Sequence, residues 1–244
     1  TTQPLGVYLP YGYDTSKTYK TIYVSHGGGG NEAEWFEIGA VKNIMDNLIA
    51  EGEIAETIVV TMNHSAKVGD RNINMRDHII PYIEANYPVS KDAADRAMCG
   101  LSMGGMITTG MMLNITDTFG NYGIWSGASS IAEDYDTDAL VEAMKGKTLY
   151  LTAGKIDFAL SSIVNFEKKL DELGIAYSAD LKNGAHDWGV WRDAFTTFAK
   201  DYLWDAPKTP QGPTETGDFT VIAPYAILAV SAAGAYVALR KKEN

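Results

Sequence analysis

A single cysteine, Cys99, stands in the 244-residue chain. No disulfide can close within it, so cysteine usage says little about compartment. Basic residues are scarce: 20 Lys and Arg against 31 Asp and Glu leave a formal charge of −11. The deficit lies in residues 1–205, with 16 basic and 28 acidic side chains, while residues 206–244 are nearly balanced. An acidic body excludes a nucleic-acid partner, whose phosphates need a basic face. There are four histidines, and no metal-binding cluster of plausible spacing, so neither a metal nor a cofactor is expected. An initiator Met and a signal peptide are both missing ahead of Thr1. The opening PLGVYLPYGYD already reads as a strand running into a turn, so a removed leader or missing upstream strands are expected.

What is present alternates. Apolar runs suited to buried strands fall at Thr21–Ser25, Thr57–Met62, Arg96–Gly100, Tyr122–Trp125, Thr148–Thr152 and Ala176–Leu181. Helical patterns lie between or after them, near 38–51, 74–86, 103–114, 137–145, 161–173 and 189–203. Ile163, Phe166, Leu170 and Leu173 share one helical face before Gly174 ends the run. Such alternation predicts one α/β domain over 1–205, a mostly parallel, doubly wound sheet with helices on both faces.

From Ala206 the character changes. Residues 206–218 are rich in Pro, Thr and Gly and read as a linker. Phe219–Leu239 then runs 21 residues without a charge, ahead of Arg240, Lys241 and Lys242. As a helix this stretch would span about 31 Å, near the roughly 30 Å hydrocarbon core of a bilayer. It predicts a transmembrane helix over 219–239 and a basic cytoplasmic tail over 240–244, leaving the body at the cell surface, outside the membrane. Thr216-Gly217-Asp218 ahead of it resembles a Gram-positive cell-wall sorting signal, although Pro213 and Thr214 stand where that signal has Leu and Pro. Attachment by sortase and a plain membrane anchor both account for these residues.

Gly100-Leu101-Ser102-Met103-Gly104 sits between a predicted strand and a predicted helix. A G-x-S-x-G turn in that setting is a nucleophile elbow, where glycines relieve crowding and the following helix points free N–H groups at the serine. Ser102 is therefore the expected nucleophile. Of the four histidines, His26 begins HGGGG directly after a strand and is expected to brace that loop. His64 follows the next strand and reads as structural, and His78 falls in a polar helix. His186, in NGAHDW after the last strand, is the expected base. Asp157, in AGKID after the strand Thr148–Thr152, is the expected orienting acid, in the chain order Ser, Asp, His. Asp187 is its competitor, though adjacent side chains usually diverge. An oxyanion hole is expected from the N–H groups of Met103 and Gly28. Trp35, Trp125 and Trp188 each neighbour one of these segments, either to receive an aromatic acid or sugar ring or to pack beneath the loops.

Read together, YLPYGY, HGGGGNEAEW, IPYIEANYPV, GLSMGG, GKIDF and AHDWGVWR resemble bacterial carbohydrate esterase family 1 across nearly all of residues 5–204. That family groups feruloyl and acetyl-xylan esterases with enterochelin esterases, S-formylglutathione hydrolases and mycolyltransferases. The resemblance implies an α/β-hydrolase fold, a triad on Ser102, Asp157 and His186, and an oxyanion loop at His26–Gly30. Ile107-Thr108 departs from the Gln-Thr often found there in feruloyl esterases, which bears on substrate choice. The expected partner is an extracellular polysaccharide or a small ester, with feruloyl or acetyl groups removed from plant cell-wall polysaccharide. A siderophore ester, a thioester, an acyl acceptor, or a silent glycan-binding surface protein are the alternatives.

Overall fold

The computed structural model describes residues 3–64 and 69–204, together with the backbone of 218–222. In chain order its elements are β1 (Leu5–Leu9), β2 (Lys20–Ser25), α1 (Glu34–Glu37), α2 (Val41–Ala50), β3 (Thr57–Met62), α3 (Arg71–Asn74), α4 (Ile80–Asn86) and β4 (Arg96–Leu101). There follow α5 (Met103–Asn114), β5 (Asn121–Trp125), α6 (Thr137–Met144), β6 (Thr148–Gly154), α7 (Leu160–Leu173), β7 (Ser178–Lys182), α8 (Trp188–Thr197) and β8 (Asp218–Ile222). A π-helical turn at Met75–Ile79 joins α3 to α4, and another at Phe198–Tyr202 extends α8.

The strands form one sheet in the order β7-β6-β5-β4-β2-β3-β1-β8. Strands β2 to β7 run parallel, whereas β1 is antiparallel to β3 and β8 antiparallel to β1. Side chains alternate across the sheet and build two cores. On one face Tyr23, Val60, Met98, Ile124 and Leu151 meet α4, α5, α6 and α7. On the other Ile22, Val24, Val59, Cys99 and Tyr150 meet α1, α2 and α8. The doubly wound expectation holds, and its switch point lies where β4 crosses to the far side of β2. Ligands of open parallel sheets bind outside the carboxyl ends of the strands at such a point. Here those ends carry the glycine loop after Ser25 and the elbow after Leu101.

The helix expected near 38–51 is α2, Val41–Ala50, and Ala40, with a left-handed φ of 55°, separates it from the short α1 that precedes the expected range. Two expectations change. The last parallel strand is an exposed edge and not a buried run, because only β6 flanks it. Residues 218–222, expected to end the linker and start a membrane helix, form strand β8 against β1, pairing Leu9 with Asp218 and Leu5 with Ile222. Phe219, Thr220, Val221 and Ile222 are aromatic or β-branched, which suits an extended edge. The rest of the expected span and the basic tail lie outside the described residues, as does the sorting-like segment apart from Asp218. No helix among the described residues is long and apolar enough to cross a membrane.

Candidate active site

The elbow is built by close backbone contact. Ser102 has φ 53° and ψ −117°, a region that side chains rarely occupy. Its N–H is held by Trp125 O at 2.8 Å, and α5 begins at the next residue. A Cβ on Gly100 would lie 2.7 Å from the Gly104 backbone, and one on Gly104 would lie 2.6 Å from Ser25 O. Both positions are therefore closed to any side chain, which is the physical content of the G-x-S-x-G spacing. Gly127, after β5, is equally constrained, since its Cβ would meet Ser102 O at 2.5 Å.

The loop after β2 is locked by two histidines. His64 N–H donates to His26 Nε2 at 2.9 Å, so the His26 proton sits on Nδ1 and is donated to Gly27 O at 2.6 Å. Gly30 N–H also donates to Gly27 O. In a trans peptide the C=O and the following N–H point in opposite directions. With Gly27 O turned into the protein, Gly28 N–H is turned outward, and Gly28 is exposed with open space around it. Met103 opens α5, so its amide is one of the donors that a helix start leaves free. The two expected oxyanion donors thus occupy neighbouring strand ends.

Asp157 and His186 meet directly. His186 Nδ1 donates to Asp157 Oδ1 at 2.8 Å, with the carboxylate side chain 0% exposed and the imidazole 17% exposed. Ala159 N–H donates to the same oxygen at 2.7 Å, while Oδ2 is buried without a partner among the described residues. The two loops are stitched together by Lys155 N–H to Lys182 O and Ile156 N–H to Gly184 O. Gly154 permits this approach, because a Cβ there would lie 2.4 Å from Ala185 O. Asp187, the competitor, accepts N–H bonds from Ala185, Gly189 and Val190 and caps α8. Those backbone bonds hold its carboxyl below the usual range.

A second path joins His186 to the elbow. Trp191 stands edge-on to the imidazole at 4.9 Å and donates its Nε1–H to Ser126 Oγ at 3.0 Å. Ser126 follows Trp125, whose carbonyl holds Ser102. Ser102 shares the sheet edge with Asp157 and His186, but no hydrogen bond joins its hydroxyl to the imidazole among the described residues. Such contacts are often loose until substrate binds.

Of the two readings open for the tryptophans, the structure places Trp35 and Trp125 in the packing one. Trp35 and Trp125 are 0% exposed, and Trp35 donates to Ser25 O. Both are packing beneath the loops, with Trp188 half-buried against Trp35 and Trp191. The aromatic residue open to solvent beside His186 is Phe158, which sequence reasoning passed over. From Met103 a cleft of about 500 Å³ extends between α3 and α5, lined by Arg71, Asn72, Met106, Ile107 and Ser129 among others. No group of His, Cys, Asp and Glu among the described residues is arranged to hold a metal ion.

Fold and elbow together define a serine hydrolase of the α/β-hydrolase class, acting on carboxylic esters. The sequence matches the model of the putative esterase family over residues 2–202, and the chain belongs to that family. It is similar to an endo-1,4-beta-xylanase/feruloyl esterase of Xylanibacter ruminicola, 37% identical over 148 residues, covering 54% of this chain and 20% of the relative. It is also similar to endo-1,4-beta-xylanase Y of Acetivibrio thermocellus, 30% identical over 241 residues, covering 84% of this chain and 21% of the relative. The chain spans about a fifth of the length of these curated relatives. Among solved structures, a ferulic acid esterase superposes with a TM-score of 0.74 at 26% identity, covering 81% of this chain and 91% of its own.

Proposed function

We propose that this chain is an extracellular feruloyl or acetyl esterase acting on plant cell-wall polysaccharide through Ser102, His186 and Asp157. The observation that carries the reading is the buried Asp157–His186 bond placed at the same sheet edge as a strained serine. Buried Asp157 keeps the His186 proton on Nδ1, which leaves Nε2 as the base. His186 takes the hydroxyl proton as Ser102 Oγ attacks the ester carbonyl. The carbonyl oxygen becomes negative and is met by the N–H groups of Gly28 and Met103. Collapse breaks the bond to the alcohol oxygen, which leaves with the proton from His186. Water, losing its proton to the same imidazole, then attacks the acyl-enzyme, and the acid is released as Ser102 is regenerated.

The acyl group fits the cleft that starts at Met103, whose volume is in the range of small-molecule sites. Its thioether and aliphatic walls suit an aromatic acid, and Arg71 and Ser129 offer polar contacts to that acid's far end. The names of the relatives, xylanase and feruloyl esterase, supply the polysaccharide. A polymer of that kind is met outside the cell.

The test is a panel of feruloylated arabinoxylan, acetylated xylan and a siderophore ester, run with the parent chain and Ser102→Ala. Hydrolysis of one of the first two is expected, with kcat lower by a factor on the order of a million in the variant. Preferential hydrolysis of the siderophore ester would replace the substrate assignment. Comparable turnover by Ser102→Ala would remove the mechanism.

A further inference from the structure

Asp157 is flanked by two of the most exposed apolar side chains among the described residues, Ile156 at 80% and Phe158 at 79%. An apolar pair in a turn is ordinarily replaced by polar residues at no structural loss. This one is not free to drift: Ala159 N–H binds Asp157 Oδ1, and Leu160 N–H binds Asp157 O, which fixes the chain on either side of the phenyl group. The ring lies over the imidazole of His186, with centroids 4.1 Å apart and planes tilted by 38°.

His186 therefore has two aromatic neighbours with opposite settings. Trp191 is buried and tied to Ser126, which suffices to hold the imidazole from within. Phe158 adds nothing of that kind and presents its outer face to solvent. The direction it faces follows from strand order. The elbow follows β4; the glycine loop follows β2, and α3, which supplies Arg71 and Asn72 to the acyl cleft, follows β3, so both lie on one side of the nucleophile in the strand order. Asp157, Phe158 and His186 follow β6 and β7 on the other side. In an acyl-transfer reaction the base hands its proton to the leaving oxygen, so the alcohol half of the ester stands next to His186 and away from the acyl cleft.

We propose that Phe158 is a specificity residue for the alcohol half of the substrate, an aromatic platform on which the sugar ring bearing the acyl group is seated. This rests on the esterase reading above. An aromatic face matches the C–H face of a pyranose or furanose ring, and it would do nothing for a small alkyl alcohol. Contact with the leaving group affects formation of the acyl-enzyme and not its hydrolysis, because the sugar has departed by then.

The experiment compares two esters of one acid, methyl ferulate and a feruloyl arabinoside, on the parent chain, Phe158→Ala and Phe158→Tyr. With Phe158→Ala, kcat/KM for the arabinoside is expected to fall about tenfold, and that for methyl ferulate to change less than twofold. Phe158→Tyr, which keeps the aromatic face, is expected to restore the arabinoside value. Equal losses on both esters would mean that the ring acts through His186 alone, and would overturn the proposal, as would no loss on either. The rate of Ser102 labelling by a fluorophosphonate, expected to be unchanged in Phe158→Ala, reports that the variant is folded with a working base. Ser102→Ala run alongside separates the two readings: turnover surviving that change defeats the esterase mechanism, whereas a non-selective effect of Phe158→Ala defeats only the platform.

Discussion

Acid should destabilise this protein through His64, by an amount the structure defines. The side chain is 1% exposed, and neither ring nitrogen has a partner among the described residues. Burial, then the neighbouring His26 and Arg71, push its pKa down from 6.5 to about 3. Between those values the unfolded chain binds a proton that the folded protein refuses, so stability rises with pH across that window and falls on acidification. The stability lost is RT ln[(1 + 10^(6.5 − pH))/(1 + 10^(3 − pH))], which is near zero at neutral pH and about 2 kcal/mol at pH 5. Against a typical total of about 5–15 kcal/mol, that is a measurable fraction. The comparison is His64→Gln against the parent in urea at a series of pH values, with other acid-sensitive groups cancelling in the difference. The backbone N–H that holds His26 Nε2 survives the substitution, so the glycine loop keeps its clamp. His64→Gln should lose about 2 kcal/mol less than the parent between pH 7.5 and pH 5. Parallel pH profiles for the two proteins would refute the reasoning.

Two further substitutions separate the carboxylates near His186. Asp157→Asn should keep the fold but present the wrong hydrogen-bond partner to His186 Nδ1, lowering kcat by about 10⁴. Steady-state kinetics on an activated ester checks this, and a loss below tenfold would remove Asp157 from the proposed triad. Asp187→Ala should instead lower stability by about 1 kcal/mol through loss of the α8 cap, with kcat within a few-fold of the parent. Thermal melting and the same assay read both effects, and an Asp187→Ala variant as inactive as Asp157→Asn would contradict the division of labour.

Sequence alone placed the parallel sheet and the loops bearing Ser102, Asp157 and His186 because the constraints there are short in range. Buried strands read as short apolar runs, and Gly100 is dictated by the Gly104 backbone less than 3 Å away within one turn of chain, although Gly104 itself is closed from across the sheet by Ser25 O. Asp187 and His186, adjacent in sequence, diverge: the Asp187 carboxylate is taken up by the free N–H groups of α8, and Asp157, two loops away, is the acid that meets the imidazole. Orientation about the sheet was not legible. Trp35 and Trp125 neighbour functional segments in sequence, yet both turn inward to fill the core beneath them. Nothing in a local pattern distinguishes an aromatic ring under a loop from one above it. Phe158 illustrates the converse, since its place over His186 depends on the meeting of the β6 and β7 loops, which Gly154 permits by the lack of a side chain. The edge strand β8 escaped for a different reason: an uncharged run of Phe, Thr, Val and Ile satisfies a membrane helix and a strand equally, and only the open edge of β1 decides between them over 218–222. The aromatic side chains around the candidate site are thus the ones for which sequence is least informative, because their orientation is decided by what lies opposite them in space.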